Sequence, residues 1–277
     1  MKLLLLTFLI AFSFSLKAQQ TVPRDSTARD SVINKKTTFT FLGGAIFAPV
    51  LHYYGRTDSL KSNALLPTVY LQFDSLHFYV SATSVFLSDK TQTLTYAGTI
   101  TEAGYKFGQK IKGFGGSIYA NKFFYNTTQL PQSAFQEQAG LNLYYLDKFI
   151  NFTASGDVAF SKENPDAFAS VGINHIFKKS KGKNIYLATP TFIANAGTQN
   201  FTNILSGTYQ NASRFTMLDY ELSVPLMYVR NKHLFIMVTP TYVLPVNIVT
   251  VPGHPEISET AGNIFFANFT VLYQFKG

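Results

Sequence analysis

The chain has no cysteine and no tryptophan, and only 14% of its 277 residues are charged. Without cysteine there is no disulfide framework, no thiolate metal ligand and no lipidated amino-terminal cysteine. The charged share is about half that of ordinary soluble domains, which argues against a molecule wetted on every side. Long apolar runs are also missing after the amino terminus, although mean hydropathy is +0.07. A helical membrane protein needs about 18–20 consecutive apolar residues per span, so that class is excluded. The formal net charge is +8, but the basic residues form no patch interleaved with aromatics, and nucleic acid is not an expected partner.

Met1–Ala18 reads as a secretory signal: Lys2, an apolar stretch from Leu3 to Leu16, then Lys17-Ala18. Residues 19–36 are polar and without apolar period, as in a flexible tail. From 37 to 277 the apolar content is spread by alternation. The clearest case is the end of the chain, Gly262–Gly277. There Phe265, Ala267, Phe269, Val271, Tyr273 and Phe275 share one face, and Asn268, Thr270 and Gln274 lie on the other with Phe266 and Leu272. A period of two marks a β-strand with unlike surroundings on its two sides.

The same reading predicts eleven further strands. They are Thr37–Tyr53, Ala64–Phe73, Leu76–Leu87, Thr91–Phe107, Lys112–Tyr125, Phe135–Leu146, Phe149–Phe160, Ala167–Phe177, Asn184–Ala194, Arg214–Val229 and His233–Val246. Connections between them alternate in length: Gly55–Asn63, Asn126–Ala134, Asn195–Ser213 and Asn247–Ala261 are long, whereas Asp74–Ser75, Asp147–Lys148 and Asn231–Lys232 are tight. Only Ser88–Lys90 breaks the rule. The pattern is that of an all-β, transmembrane, antiparallel up-and-down β-barrel of about 12 strands, with long loops at one end and turns at the other. The short connections gather positive charge, as in Lys178, Lys179, Lys181, Lys183, Arg230 and Lys232. Such a rim reads first as a solvated edge.

The closing strand resembles the carboxy-terminal signal of bacterial outer-membrane barrels, with Phe275 as the terminal aromatic, set back by Lys276 and Gly277. From the Lys17-Ala18-Gln19 processing region to the Tyr273-x-Phe275 ending, the chain is similar to generic barrel proteins of Bacteroidota. Asp25-Ser-Thr and Asp30-Ser-Val look like the O-glycosylation triplets of that phylum. The resemblance implies an outer-membrane location with both termini periplasmic. It also implies contact with outer-membrane lipid and lipopolysaccharide, and handling by the barrel-assembly machinery through the strand ending at Phe275.

Parity selects the candidate pore-lining residues: Asp157, Asp219, Glu221, Glu102, His77, Asn151, Thr153, Ser155 and Asn268. Asp219 and Glu221 share a face, roughly 7 Å apart along the strand, a spacing that suits a cation path, a carboxylate pair or simple pore wetting. No catalytic, metal or cofactor site emerges. Twelve-stranded outer-membrane phospholipases carry a His-x-Ser element, and none of His52, His77, His175, His233 or His254 has serine two residues on. Gly-x-Ser-x-Gly is also absent. Gly43-Gly44 and Gly115-Gly116 lie within strands and mark close backbone approach. A short echo, Thr189-Pro190-Thr191 and Thr239-Pro240-Thr241, puts two prolines on the lipid side, where a bulge near the rim is the expected home. Asn195–Ser213 carries apolar residues that would fold it inward, and Asn247–Ala261 holds a stiff Pro252-Gly253-His254-Pro255 turn.

The leading functional expectation is a passive or weakly selective channel for small solutes with a mildly cation-favouring interior. The alternative is a non-conducting barrel that serves as a binding or assembly partner. A lumen or wall hydrolase comes third.

Overall fold

The computed structural model describes residues 38–276 apart from 58–61, 91, 109–111, 128–129, 131–133, 162–163, 201–213 and 249–261. The expected signal at 1–18 and the expected tail at 19–36 lie outside the described residues. Twelve spanning strands follow in order: β1 (Phe39–Ala48), β2 (Asn63–Phe73), β3 (Phe78–Ser88), β4 (Thr95–Phe107), β5 (Phe114–Tyr125), β6 (Glu137–Tyr145) and β7 (Asn151–Phe160). Three then run in two pieces each: β8 (Asp166–Asn174, Phe177–Lys181), β9 (Asn184–Ala188, Thr191–Gly197) and β10 (Thr216–Ser223, Leu226–Arg230). β11 (Leu234–Pro245) and β12 (Ile264–Lys276) complete the set. Each strand pairs antiparallel with its sequence neighbours, and β12 returns to β1 with Phe275 opposite Phe41 and Phe269 opposite Phe47. The sheet is therefore a closed barrel, and its even strand count brings both ends of the described chain to one rim. We call this the terminal rim and the opposite one the loop rim.

Alternation decides which side each residue takes. On β12, Phe265, Phe269, Val271, Tyr273 and Phe275 are exposed, whereas Phe266, Thr270, Leu272 and Gln274 are buried. The same holds on β2, where Leu66, Thr68, Tyr70 and Gln72 face in while Val69 is 47% exposed. An exterior of exposed Phe, Tyr, Leu, Ile and Val around a closed barrel is stable against lipid and not against water. Closure also satisfies the strand backbones internally, as a bilayer demands.

Cross-strand pairs shape the inner wall. Tyr79 lies opposite Gly104, Tyr119 opposite Gly140, Tyr144 opposite Gly115 and Phe168 opposite Gly197. A Cβ on Gly104 would come within 2.5 Å of the Tyr79 ring, and one on Gly140 within 2.5 Å of Tyr119. These rings lie flat over the glycines, so glycine is required there by close approach.

The expected strands are all present, with four differences. β1 ends at Ala48 and not at Tyr53, because the chain bends inward and forms a small hairpin, His52–Tyr53 paired with Arg56–Thr57. Its tip holds Tyr54 and Gly55 at φ 48° and 74°, values no strand accommodates. β8 runs on to Lys181, past the first residue of β7, so its second piece pairs with β9 alone. Lys178, Lys179 and Lys181 sit on that edge, where charge discourages further strand addition. Leu218, which parity with the inward Asp219 and Glu221 places on the lipid side, is fully buried: the register shifts between Asn195 and Ala196, and Leu218 is the extra residue.

The fourth difference concerns proline. Pro190 and Pro240 are not at a rim bulge; with Pro225 they form one seam across three adjacent strands. β8, β9 and β10 all break at this level, after Asn174, Ala188 and Ser223 respectively. Single bonds bridge the gap: His175 N–H to Pro190 O (3.2 Å), Thr189 N–H to Pro225 O (3.0 Å) and Val224 N–H to Pro240 O (3.1 Å). Proline has no N–H, so each one removes a donor that the break would otherwise leave facing lipid.

Candidate functional site in the barrel lumen

The inner wall is built from polar rungs that join neighbouring strands. Across β5–β7, Asn121 donates to Gln138 (3.2 Å), and Gln138 donates to the Asp157 carboxylate. Across β8–β10, Ser170 donates to Asn195 (2.5 Å), whose Nδ2 lies 2.5 Å from Asp219 and 3.3 Å from Glu221. The two carboxylates thus share one amide. Thr68 and Thr83 join β2 to β3. Lys106 of β4 reaches past Tyr79 to Tyr70 Oη (2.6 Å) and Gln72 Oε1 (2.7 Å), with its ammonium 5.1 Å from both tyrosine rings.

The structure puts most of the predicted lining on this face. Asn151, Thr153, Ser155 and Asp157 alternate inward along β7, and Asn151 donates to Asn174 of β8 (2.8 Å). Asp219 and Glu221 face in on β10, Glu102 on β4 opposite Ser81 and Asn121, and Asn268 on β12 opposite Thr239. His77 is a correction. It belongs to the β2–β3 turn at φ 58°, and its ring packs 6.3 Å from Tyr105, a residue of the outer face. The left-handed backbone breaks the alternation that had assigned it inward.

The mouth at the loop rim holds what sequence reasoning missed. The inner hairpin crosses the lumen from the β1–β2 side to the opposite wall. Tyr54 stacks on Phe168 of β8 at 4.5 Å, and Tyr53 lies 5.6 Å from both Phe168 and Phe135. Phe123, Ala159 and Leu218 close the same cluster. Near β12, His52 packs 5.1 Å from Phe266. The other side of the mouth is filled by Leu51 and Leu130 against Ile46, Leu66, Val85 and Leu87.

Arg56 fixes the hairpin in place. Nη1 donates to the carbonyls of Tyr54 (2.7 Å) and Leu218 (2.8 Å). Nη2 donates to Gln199 Oε1 (2.7 Å) and the carbonyls of Val246 (3.1 Å) and Asn247 (3.0 Å). A planar fork of five donors suits such a set of carbonyls, and lysine would not span it. The tip also needs glycine at position 55, where a Cβ would meet Asp219 and Pro245 at 3.0 and 3.1 Å. One signal in the sequence could have found the hairpin: His52-Tyr53-Tyr54-Gly55-Arg56 packs three aromatic rings and a cation into what a long loop would leave in water. The inward folding expected of Asn195–Ser213 and Asn247–Ala261 falls mostly outside the described residues.

Chemically, the lumen offers carboxylates, amides and hydroxyls below an aromatic cap. Glu102, Asp157, Asp219 and Glu221 are balanced only in part by Lys106 and Arg56. Among the described residues, no group of three or more His, Asp or Glu gathers as a metal site.

No family model matches the chain, and no curated protein matches it. Among solved structures it is similar to a bacterial polysaccharide outer-membrane secretin (8% identity, TM-score 0.43, covering 86% of this chain and 98% of that one). It is also similar to the β-domain of the Bordetella autotransporter BrkA (8%, 0.40, 87% and 99%) and to OmpF of Salmonella typhi in complex with daunomycin (9%, 0.33, 87% and 97%). At such identities and TM-scores these likenesses say nothing about activity.

Proposed function

We propose that the protein is a non-conducting outer-membrane barrel that acts as a membrane-anchored binding or assembly partner, with both termini on the periplasmic side. One observation carries the reading: the hairpin around Arg56 spans the mouth from the β1–β2 side to Phe168 on the far wall. The bridge is aromatic, buried and locked by five hydrogen bonds, which favours a fixed cap over a mobile loop. The purified protein in a planar bilayer should give no sustained openings; steady ohmic openings of the wild type would return the passive channel for small solutes to first place.

A narrow cation-favouring path is the second reading, favoured by Glu102, Asp157, Asp219 and Glu221 on the inner face. If current is seen, Asp219→Asn with Glu221→Gln should shift the reversal potential toward anions, and an unchanged potential removes those carboxylates from the path. Neither reading involves catalysis, so turnover of a lipid or ester by the purified protein would contradict both.

A further inference from the structure

The outer wall below the proline seam carries a groove of about 590 Å³ that differs in character from one end to the other. Leu226, Ile236 and Val238 line the end nearest the seam, and Lys178 and Lys179 line the end at the terminal rim. Between them stand Tyr186 and Tyr228, with ring centroids 5.3 Å apart and Tyr228 Oη bonded to Asn184 (3.1 Å). A second apolar groove of about 510 Å³ lies above the seam, lined among others by Ile173, Pro190, Phe192 and Phe265.

We propose that the lower groove is a binding site for an anionic phospholipid of the surrounding bilayer. Its acyl chain would lie along Leu226, Ile236 and Val238, and its phosphate would meet Lys179, which shares the outer face with Tyr186 and Tyr228. The proposal rests on the reading of the chain as a membrane barrel.

Three observations favour this occupant. The first is charge: no aspartate or glutamate occurs in residues 175–188 or 222–245, while Lys178, Lys179, Lys181, Lys183, Arg230 and Lys232 do. That side of the rim therefore attracts anions and lacks internal competitors. The second is layering. Tyrosines between an apolar and a basic zone match the order of hydrocarbon, interface and headgroup along a lipid. The third is the floor. Phe177 and Ala188 join Leu226 and Val238 in one apolar row at the seam end, which suits a hydrocarbon chain. A solvated edge would explain the lysines alone. It would not explain their continuation into an apolar groove of a size that holds a ligand.

Native mass spectrometry of the detergent-solubilised full barrel tests this, with dioleoyl phosphatidylglycerol and dioleoyl phosphatidylcholine added in equal amounts. The wild type should retain phosphatidylglycerol in preference. Lys179→Gln should lower that retention by about fivefold, the worth of one basic residue at an anionic surface, and more than Lys178→Gln on the opposite face does. Ala188→Phe, which adds bulk to the groove and leaves the lysines alone, should lower retention of both lipids. Equal retention of the two lipids by the wild type, or undiminished phosphatidylglycerol retention by Lys179→Gln, would overturn the site. Each variant is first checked for the heat-modifiable gel shift of a folded barrel. A wild type without that shift would remove the barrel reading, and the lipid site with it.

Discussion

Two parts of the wall solve the same problem differently. In β1–β7 each strand runs from rim to rim without interruption, and in β8–β10 each strand breaks at one level. Proline occurs in both parts. Pro67 sits alone in β2, whose eleven residues continue through it, and the only trace is a gap in the β2–β3 register between Leu65 and Thr68. Pro190, Pro225 and Pro240 stand side by side on β9, β10 and β11, and the strand before each one, β8, β9 and β10, breaks opposite it, while β11 itself runs on through Pro240. One missing donor is absorbed by its neighbours, whereas aligned ones divide the ladder. The divided part is tied elsewhere: Arg56 joins the loop-rim end of β10 to the residues that follow β9 and β11, above the seam.

The sharpest way to break this comparison is to remove that tie. Arg56→Ala should cost about 3 kcal/mol, as for loss of a buried charge serving several acceptors. It should lower the temperature of the heat-modifiable shift and speed hydrogen exchange at the loop-rim ends of β9–β11. Exchange in β2–β6 should stay as in the wild type. Uniform acceleration around the barrel would mean that Arg56 supports the whole wall and not the divided part.

A smaller effect is expected from the prolines themselves. Pro225→Ala restores an N–H at a break with no acceptor prepared for it, and should destabilise by about 1–2 kcal/mol. Pro67→Ala restores a donor inside a continuous strand pair and should be neutral or slightly stabilising. Equal shifts in unfolding temperature for the two variants would remove the distinction between lone and aligned prolines.

The smallest effect belongs to the continuous part. Lys122 and Glu137 pair at 2.6 Å on the outer face of β5 and β6, with both side chains about half exposed. Replacing either by alanine should change stability by about 0.5 kcal/mol or less. A larger loss in a double-mutant cycle would show that the pair lies deeper in the apolar zone than its exposure suggests.

Much of the architecture was legible in the residues. The face of Asp157 on β7, of Asp219 and Glu221 on β10, and of the β12 aromatics all follow from a period of two. The misplacements have one cause. His77 follows a left-handed turn and Leu218 a bulge, and one extra or reversed residue inverts every side that parity assigns after it. Asn195, which the two β10 carboxylates share, was not singled out because its role exists only across the strand pair.

Local alternation and loop length are enough to specify a barrel of about twelve strands, its apolar outside and the polar residues on its inside. The bridge that the first loop makes across the mouth, the carbonyls that Arg56 gathers from residues up to 191 positions away, and the meeting of three prolines in one seam arise only in the closed barrel. Those features depend on the stagger between strands and on the diameter of the closed cylinder. Both are properties of the whole sheet that no single strand encodes.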